Sequence, residues 1–134
     1  MLQAVLCTED EITRLVHDFY ARVRQDDLLG PIFNTHVADW DHHLAKLCDF
    51  WSSILLRTGR FSGTPMSKHA ALPELNAILF ERWLALFGEV AGTQPNQAMA
   101  QQACTMANRI AQSLWMGYQI HHNPTAAPAM LRHG

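Results

Sequence analysis

An all-α fold is the expectation for this chain, and three observations carry it. Apolar residues recur at three- and four-residue steps in four separate stretches, the spacing that lines one face of a helix. No stretch keeps up the alternation of apolar and polar residues that a half-buried strand requires. Gly and Pro fall between the periodic stretches, as punctuation does between helices.

The chain has 134 residues, of which 49% are hydrophobic and 16% charged. A globule of this length buries roughly two-thirds of its unfolded surface, enough for a core without staples. That composition excludes disorder. The formal net charge of −2 supplies no basic field for nucleic acid or an anionic membrane. Cys7, Cys48 and Cys104 are odd in number and lack C-x-x-C spacing, which argues against a disulfide framework or a zinc–cysteine site. A reduced, cytoplasmic setting is the expectation. The opening MLQAVLCTEDE turns acidic too early for a secretory signal, and no apolar run reaches the ~18–20 residues of a membrane helix.

Each element has its own local reason. Thr8 and Glu11 form a capping-box pattern ahead of Ile12, Leu15, Val16, Phe19, Tyr20 and Val23, a helical stripe. Asp26 to Pro31 breaks that helix, and Ile32 and Phe33 read as a short apolar link. Asp39 is the expected N-cap of a second helix, whose apolar face carries Trp40, His43, Leu44, Leu47, Phe50, Trp51, Ile54 and Leu55 and which ends near Gly59. Between Arg57 and Pro73 the glycines and prolines leave room only for a short helical turn around Ser67–Leu72, with His69 in it. A third helix is expected over about 74–90, with Leu75, Ile78, Leu79, Trp83, Leu86, Phe87 and Val90 inside. A last helix starts near Pro95–Asn96 and is stopped by Gly117 and then Asn123-Pro124. One domain over 1–134 is expected, with its core at about 8–120 and a loose tail at 123–134. Unequal helices and an irregular connection fit a shortened globin-like sandwich better than a symmetric bundle.

Several chemistries are excluded by missing motifs. There is no Gly-x-Gly-x-x-Gly, P-loop, Gly-x-Ser-x-Gly or His-Glu-x-x-His. Asp39-x-x-His42 occurs once, at a helix start, where capping is the better reading of Asp39. Four polar groups in apolar settings are left: Tyr20, His43, Trp83 and, on the interrupted segment, His69. A buried phenol or indole needs a hydrogen-bond partner. Tyr20, His43 and Trp83 could meet around a small polar ligand. Spacing alone favours ordinary core aromatics, a satisfied core histidine and a solvated His69. Neutral imidazole is an axial ligand to haem iron, and Lys68 beside His69, with Leu72 after it, suits a macrocycle that is apolar with acidic arms.

Taken in order, the chain shows Phe19-Tyr20-x-x-Val23, Leu29-Gly30-Pro31-Ile32-Phe33, Trp40-x-x-His43, Phe50-Trp51, Gly59-x-Phe61-x-Gly63-x-Pro65, Lys68-His69 and Arg82-Trp83-Leu84-x-Leu86-Phe87. With these motifs, over residues 8–116, the chain resembles the truncated haemoglobins, most closely their third group. The resemblance implies a haem b protein with an interrupted proximal segment. By it, His69 is the ligand to iron. Tyr20 and Trp83 are distal hydrogen-bond donors, and His43 is a distal-helix gate, with adjacent His42 competing if the register shifts by one. Leu47 lies over the haem. Phe33, Phe50, Trp51 and Phe61 wall the pocket, with Leu72 and Phe87 adding to it. Lys68, with Arg57 and Arg60, is a candidate propionate partner, while Cys48 reads as a small helix residue rather than a thiolate ligand.

Two classes of function follow from the resemblance. One is an enzyme acting on nitric oxide or peroxide, which needs an external reductase because no flavin or nicotinamide motif is present. The other is a scavenger, buffer or sensor that binds dioxygen without turnover. Carbon monoxide is a further candidate ligand. A haem-free helical interaction module is the remaining alternative, and a monomer is the default assembly.

Overall fold

The structure is a computed structural model, described for residues 6–59, 61 and 75–131. Among these residues five helices run in order and no strand occurs: α1 (Glu9–Gln25), α2 (Gly30–His36), α3 (Trp40–Leu55), α4 (Ala77–Ala91) and α5 (Gln97–His122). The short turn expected around Ser67–Leu72, with Lys68, His69 and Leu72, lies outside the described residues, as does Arg60.

Helix α1 begins as its sequence demands. The Thr8 hydroxyl accepts from Glu11 N at 3.1 Å, and Glu11 Oε1 accepts from Thr8 N at 2.8 Å, closing the capping box. Its stripe of Ile12, Leu15, Val16, Phe19, Tyr20 and Val23 is buried throughout. The helix stops at Asp26, whose Oδ2 accepts from Leu28 N and Leu29 N at 3.1 and 3.0 Å. The chain then turns directly into α2, so the expected link at Ile32 and Phe33 is a seven-residue helix instead. Pro31 suits its first turn, where the missing N–H costs nothing. Gly30 is needed at that turn, since a Cβ there would sit 2.8 Å from the Arg24 carbonyl oxygen.

Asp39 caps α3 by accepting from His42 N at 3.2 Å. The chain leaves α3 through Arg57 (φ 57°) and Gly59 (φ 69°), two left-handed residues in succession but one. Phe61 N then donates to Ser53 Oγ at 2.9 Å, folding the chain back along α3. Asn76 and Asn96 cap α4 and α5. Two expectations for these helices change. Ile78 is 64% exposed rather than inside, because α4 turns Leu79 and Phe80 inward in its first turn. Helix α5 runs through Gly117 to His122, its C-terminal half held by tertiary contacts that outweigh the glycine's low helix propensity.

Helix α1 packs on α2, α3 and α4, and α5 packs on α4 and α3. Ala100, Ala103, Ala107 and Ala111 line the buried face of α5, and their small side chains let its backbone approach its neighbours closely. After α5 the chain doubles back, so the expectation of a loose tail fails for its last described residues. Gln119 exchanges two 2.9 Å hydrogen bonds with the Ala129 backbone, and Gln112 exchanges bonds of 2.9 and 3.3 Å with Leu131. Leu131 is buried against Phe80 and Ala111.

Candidate functional site

The polar groups singled out in the sequence come from three helices, and three of them converge. Tyr20 projects from the buried face of α1, His43 from α3 and Trp83 from α4. Trp83 and Tyr20 both pack edge-on against the Phe19 ring, at 5.3 and 4.7 Å, which brings the indole close to the phenol. Indole nitrogen is only a donor, so between these two groups Trp83 can only give and the Tyr20 oxygen accept. Burial pushes the Tyr20 pKa up to about 12, with the nearby Trp83 N–H opposing the rise. The phenol therefore keeps its proton throughout the neutral range. The His43 ring meets the Tyr20 ring edge-on at 6.3 Å, while His42 is exposed. The helical register of α3 thus puts His43, not His42, beside Tyr20.

Aromatic rings continue outward from this point. Phe33 lies 5.8 Å and Trp40 6.3 Å from Tyr20, and Trp40 meets His43 at 5.6 Å. On the other side Phe19 contacts Trp83 at 5.3 Å and Phe87 at 5.0 Å. Phe87 stacks on Trp83 at 5.5 Å and on Trp51 at 5.2 Å. Phe50 joins Trp51 at 5.9 Å and Phe61 at 5.1 Å. Every aromatic residue expected at the site belongs to this one connected set. Their depths differ: Trp51 and Phe87 are each 2% exposed and form core, whereas Phe33, Leu47, Phe50 and Phe61 are half-buried.

Trp40 is the member whose role the sequence reading did not single out. Its ring bridges Phe33, Tyr20 and His43, and the Arg24 guanidinium sits 4.6 Å from its centroid. The signal was present in Trp40-x-x-His43, one helical turn apart, but the arginine comes from another helix. The remaining candidates stay apart from this set. Arg57 is exposed at the end of α3. Burial, more than the neighbouring Asp49 charge, pushes the Cys48 thiol up, so it is not a thiolate near neutral pH. No group of three or more His, Cys, Asp or Glu able to hold a metal occurs among the described residues. No helix among them is long and apolar enough to cross a membrane.

No family model matches the chain. A curated relative, the group 3 truncated hemoglobin ctb of Campylobacter jejuni subsp. jejuni serotype O:2, is 37% identical over 107 residues, which is 77% of this chain and 84% of the relative. The crystal structure of a group III truncated hemoglobin from Campylobacter jejuni shares the fold with a TM-score of 0.78 and 32% identity, over 90% of this chain and 96% of that one. With so much of both chains aligned in sequence and in fold, this chain belongs to the group III truncated haemoglobins.

Proposed function

We propose that the chain binds haem b through His69 and uses Tyr20, Trp83 and His43 to hold a small diatomic ligand for redox chemistry, such as removal of nitric oxide or peroxide. The observation that carries this reading is the gathering of Tyr20, His43 and Trp83, from three helices, around one buried phenol. Burial keeps that phenol protonated, so its proton is available to a group placed beside it.

The described residues fit a haem. Phe33, Trp40, Leu44, Leu47, Phe50 and Phe61 pack on the core yet are only half-buried, and so offer apolar surface beside the donors. Phe33, Leu47, Phe50 and Phe61 would lie against the macrocycle, with Trp51 and Phe87 stiffening the wall behind. Lys68 would pair with a propionate and Leu72 would add apolar cover.

Bound haem supplies an iron atom that takes diatomic molecules and shifts electron density onto them. Tyr20, held protonated by burial, donates toward that density, with the Trp83 N–H close by as a second donor. The His43 imidazole stands at the edge of Tyr20, where it can gate entry or donate in turn. A hydrogen bond to a charged acceptor contributes roughly 1.5–3 kcal/mol, so such donors slow ligand escape by orders of magnitude. Tight retention suits reaction in place better than release, and turnover would draw its electrons from an external reductase.

The visible spectrum of the reduced protein, with and without carbon monoxide, tests the cofactor. A Soret band that shifts on adding carbon monoxide is expected; a chain that takes up no supplied haem would overturn the reading. Rapid turnover of nitric oxide or peroxide with a reductant is expected of the redox function. Stoichiometric dioxygen binding without turnover of either would replace it with a scavenger, buffer or sensor.

A further inference from the structure

The donor pair works only if α1 and α4 hold Tyr20 and Trp83 in register, and one part-buried contact ties the two helices. Asp26, the cap residue ending α1, is oriented first by its own turn, where its Oδ2 accepts from Leu28 N and Leu29 N. Its Oδ1 then accepts from Arg82 Nε at 2.8 Å and Nη2 at 2.7 Å. The Asp26 side chain is 5% exposed and that of Arg82 41%. The other ion pair between these helices, Arg22–Glu89, has both side chains more than half exposed and one contact of 3.0 Å. Pairs of that kind hold little.

We propose that the Asp26–Arg82 contact is a positioning latch that sets the Trp83 indole beside Tyr20. Arg82 immediately precedes Trp83 on α4, so fixing the rotation and height of one fixes the other. Tyr20 lies on α1 less than two turns before Asp26. The latch therefore closes a loop: Tyr20, down α1 to Asp26, across to Arg82, along to Trp83 and back to Tyr20 through Phe19, whose ring both contact. A donor moved by an ångström loses its acceptor. Arg82 touches no ligand and acts through its neighbour. The consequence for ligand retention rests on the haem reading above; the effect on Trp83 itself does not.

Two readouts separate these. In the haem-free protein, the indole N–H nuclear magnetic resonance signal of Trp83 reports the latch directly. Arg82→Met is expected to shift it and speed its exchange with solvent, Arg82→Lys to do so less, and Arg22→Met not at all. In the loaded protein, Arg82→Met is expected to speed dioxygen dissociation about tenfold and to move the carbon monoxide stretching frequency. Both effects are expected to vanish when Trp83→Phe is already present. An unmoved indole signal overturns the latch. So does an acceleration that is the same with and without Trp83, which is what mere loss of stability would produce. A moved indole signal with unchanged ligand kinetics upholds the latch and removes Trp83 from the ligand's surroundings. Should Arg82→Met not fold, Arg82→Lys in both backgrounds decides on the same criteria.

Discussion

Tyr20 joins two properties that act at the scale of one side chain: it is buried, and that burial pushes its pKa up to about 12. Replacing it with Phe keeps the ring and its contact with Phe19 at 4.7 Å while removing only the hydroxyl. Dioxygen dissociation from Tyr20→Phe is expected to speed up roughly ten- to a hundredfold, the loss of one hydrogen bond to a charged acceptor. Stopped-flow displacement by carbon monoxide measures it, and an unchanged rate would remove Tyr20 from the ligand's surroundings. Trp51 is the contrasting case. At 2% exposure and stacked on Phe87, it works as core. Trp51→Ala is expected to cost about 3–5 kcal/mol in a denaturant titration of the haem-free protein. Both residues were legible as inward-facing from helical spacing alone. Spacing does not say that one is a donor and the other a buttress, because that depends on which helix lies opposite.

At the scale of elements, the legible features are those whose cause is local. The capping box of Thr8 and Glu11 and the cap at Asp39 are set within four residues of chain and form as read, and the last helix starts at the Pro95–Asn96 boundary as expected, with Asn96 as its cap. Helix α2 escaped notice because seven residues are too few to show a period, and its start rests on the close approach of Gly30 to the Arg24 carbonyl. The pinned tail escaped because its partners lie ten and nineteen residues back on α5. It carries a prediction: Leu131→Ala is expected to destabilise by about 2 kcal/mol, the low end for a buried leucine, and to lower the thermal midpoint. An unchanged midpoint would mean that this segment is not docked in solution. The latch between α1 and α4 carries another. The two Arg82 contacts, then the Leu29 and Leu28 N–H groups, hold the Asp26 carboxyl below its ordinary value against the effect of burial. A carboxyl with a depressed folded pKa contributes stability above its unfolded value, about 4, and loses that contribution as pH falls through the folded value. Asp26→Asn is therefore expected to flatten the decline in stability below about pH 4, as read from denaturant midpoints across that range.

At the scale of the molecule, the five described helices leave a row of apolar side chains on α2, α3 and the returning chain at Phe61 only half-buried, beside a hydroxyl with a proton to give. Such a surface is costly to leave against water, and a flat apolar group placed on it returns that cost as binding. The all-α class was legible because it needs only the period of apolar residues; the meeting of α1, α3 and α4 at Tyr20 was legible only through resemblance, because it is a fact of long-range packing. Binding that favours the folded state raises stability by RT ln(1 + [L]/Kd). Added haem is therefore expected to raise the thermal midpoint of the haem-free protein in a concentration-dependent way, and to protect the amides of α3 from hydrogen exchange more than those of the N-terminal half of α5, which is already packed on Ala100, Ala103 and Ala107. With His69→Gly both gains should shrink, because the iron loses the ligand we assign to it. Added imidazole should then restore the carbon monoxide spectrum by taking the place of the missing side chain. If the spectrum of His69→Gly were already that of the parent, the iron would be held by another residue and the assignment of His69 would fall, while the apolar row and its donors would remain in place.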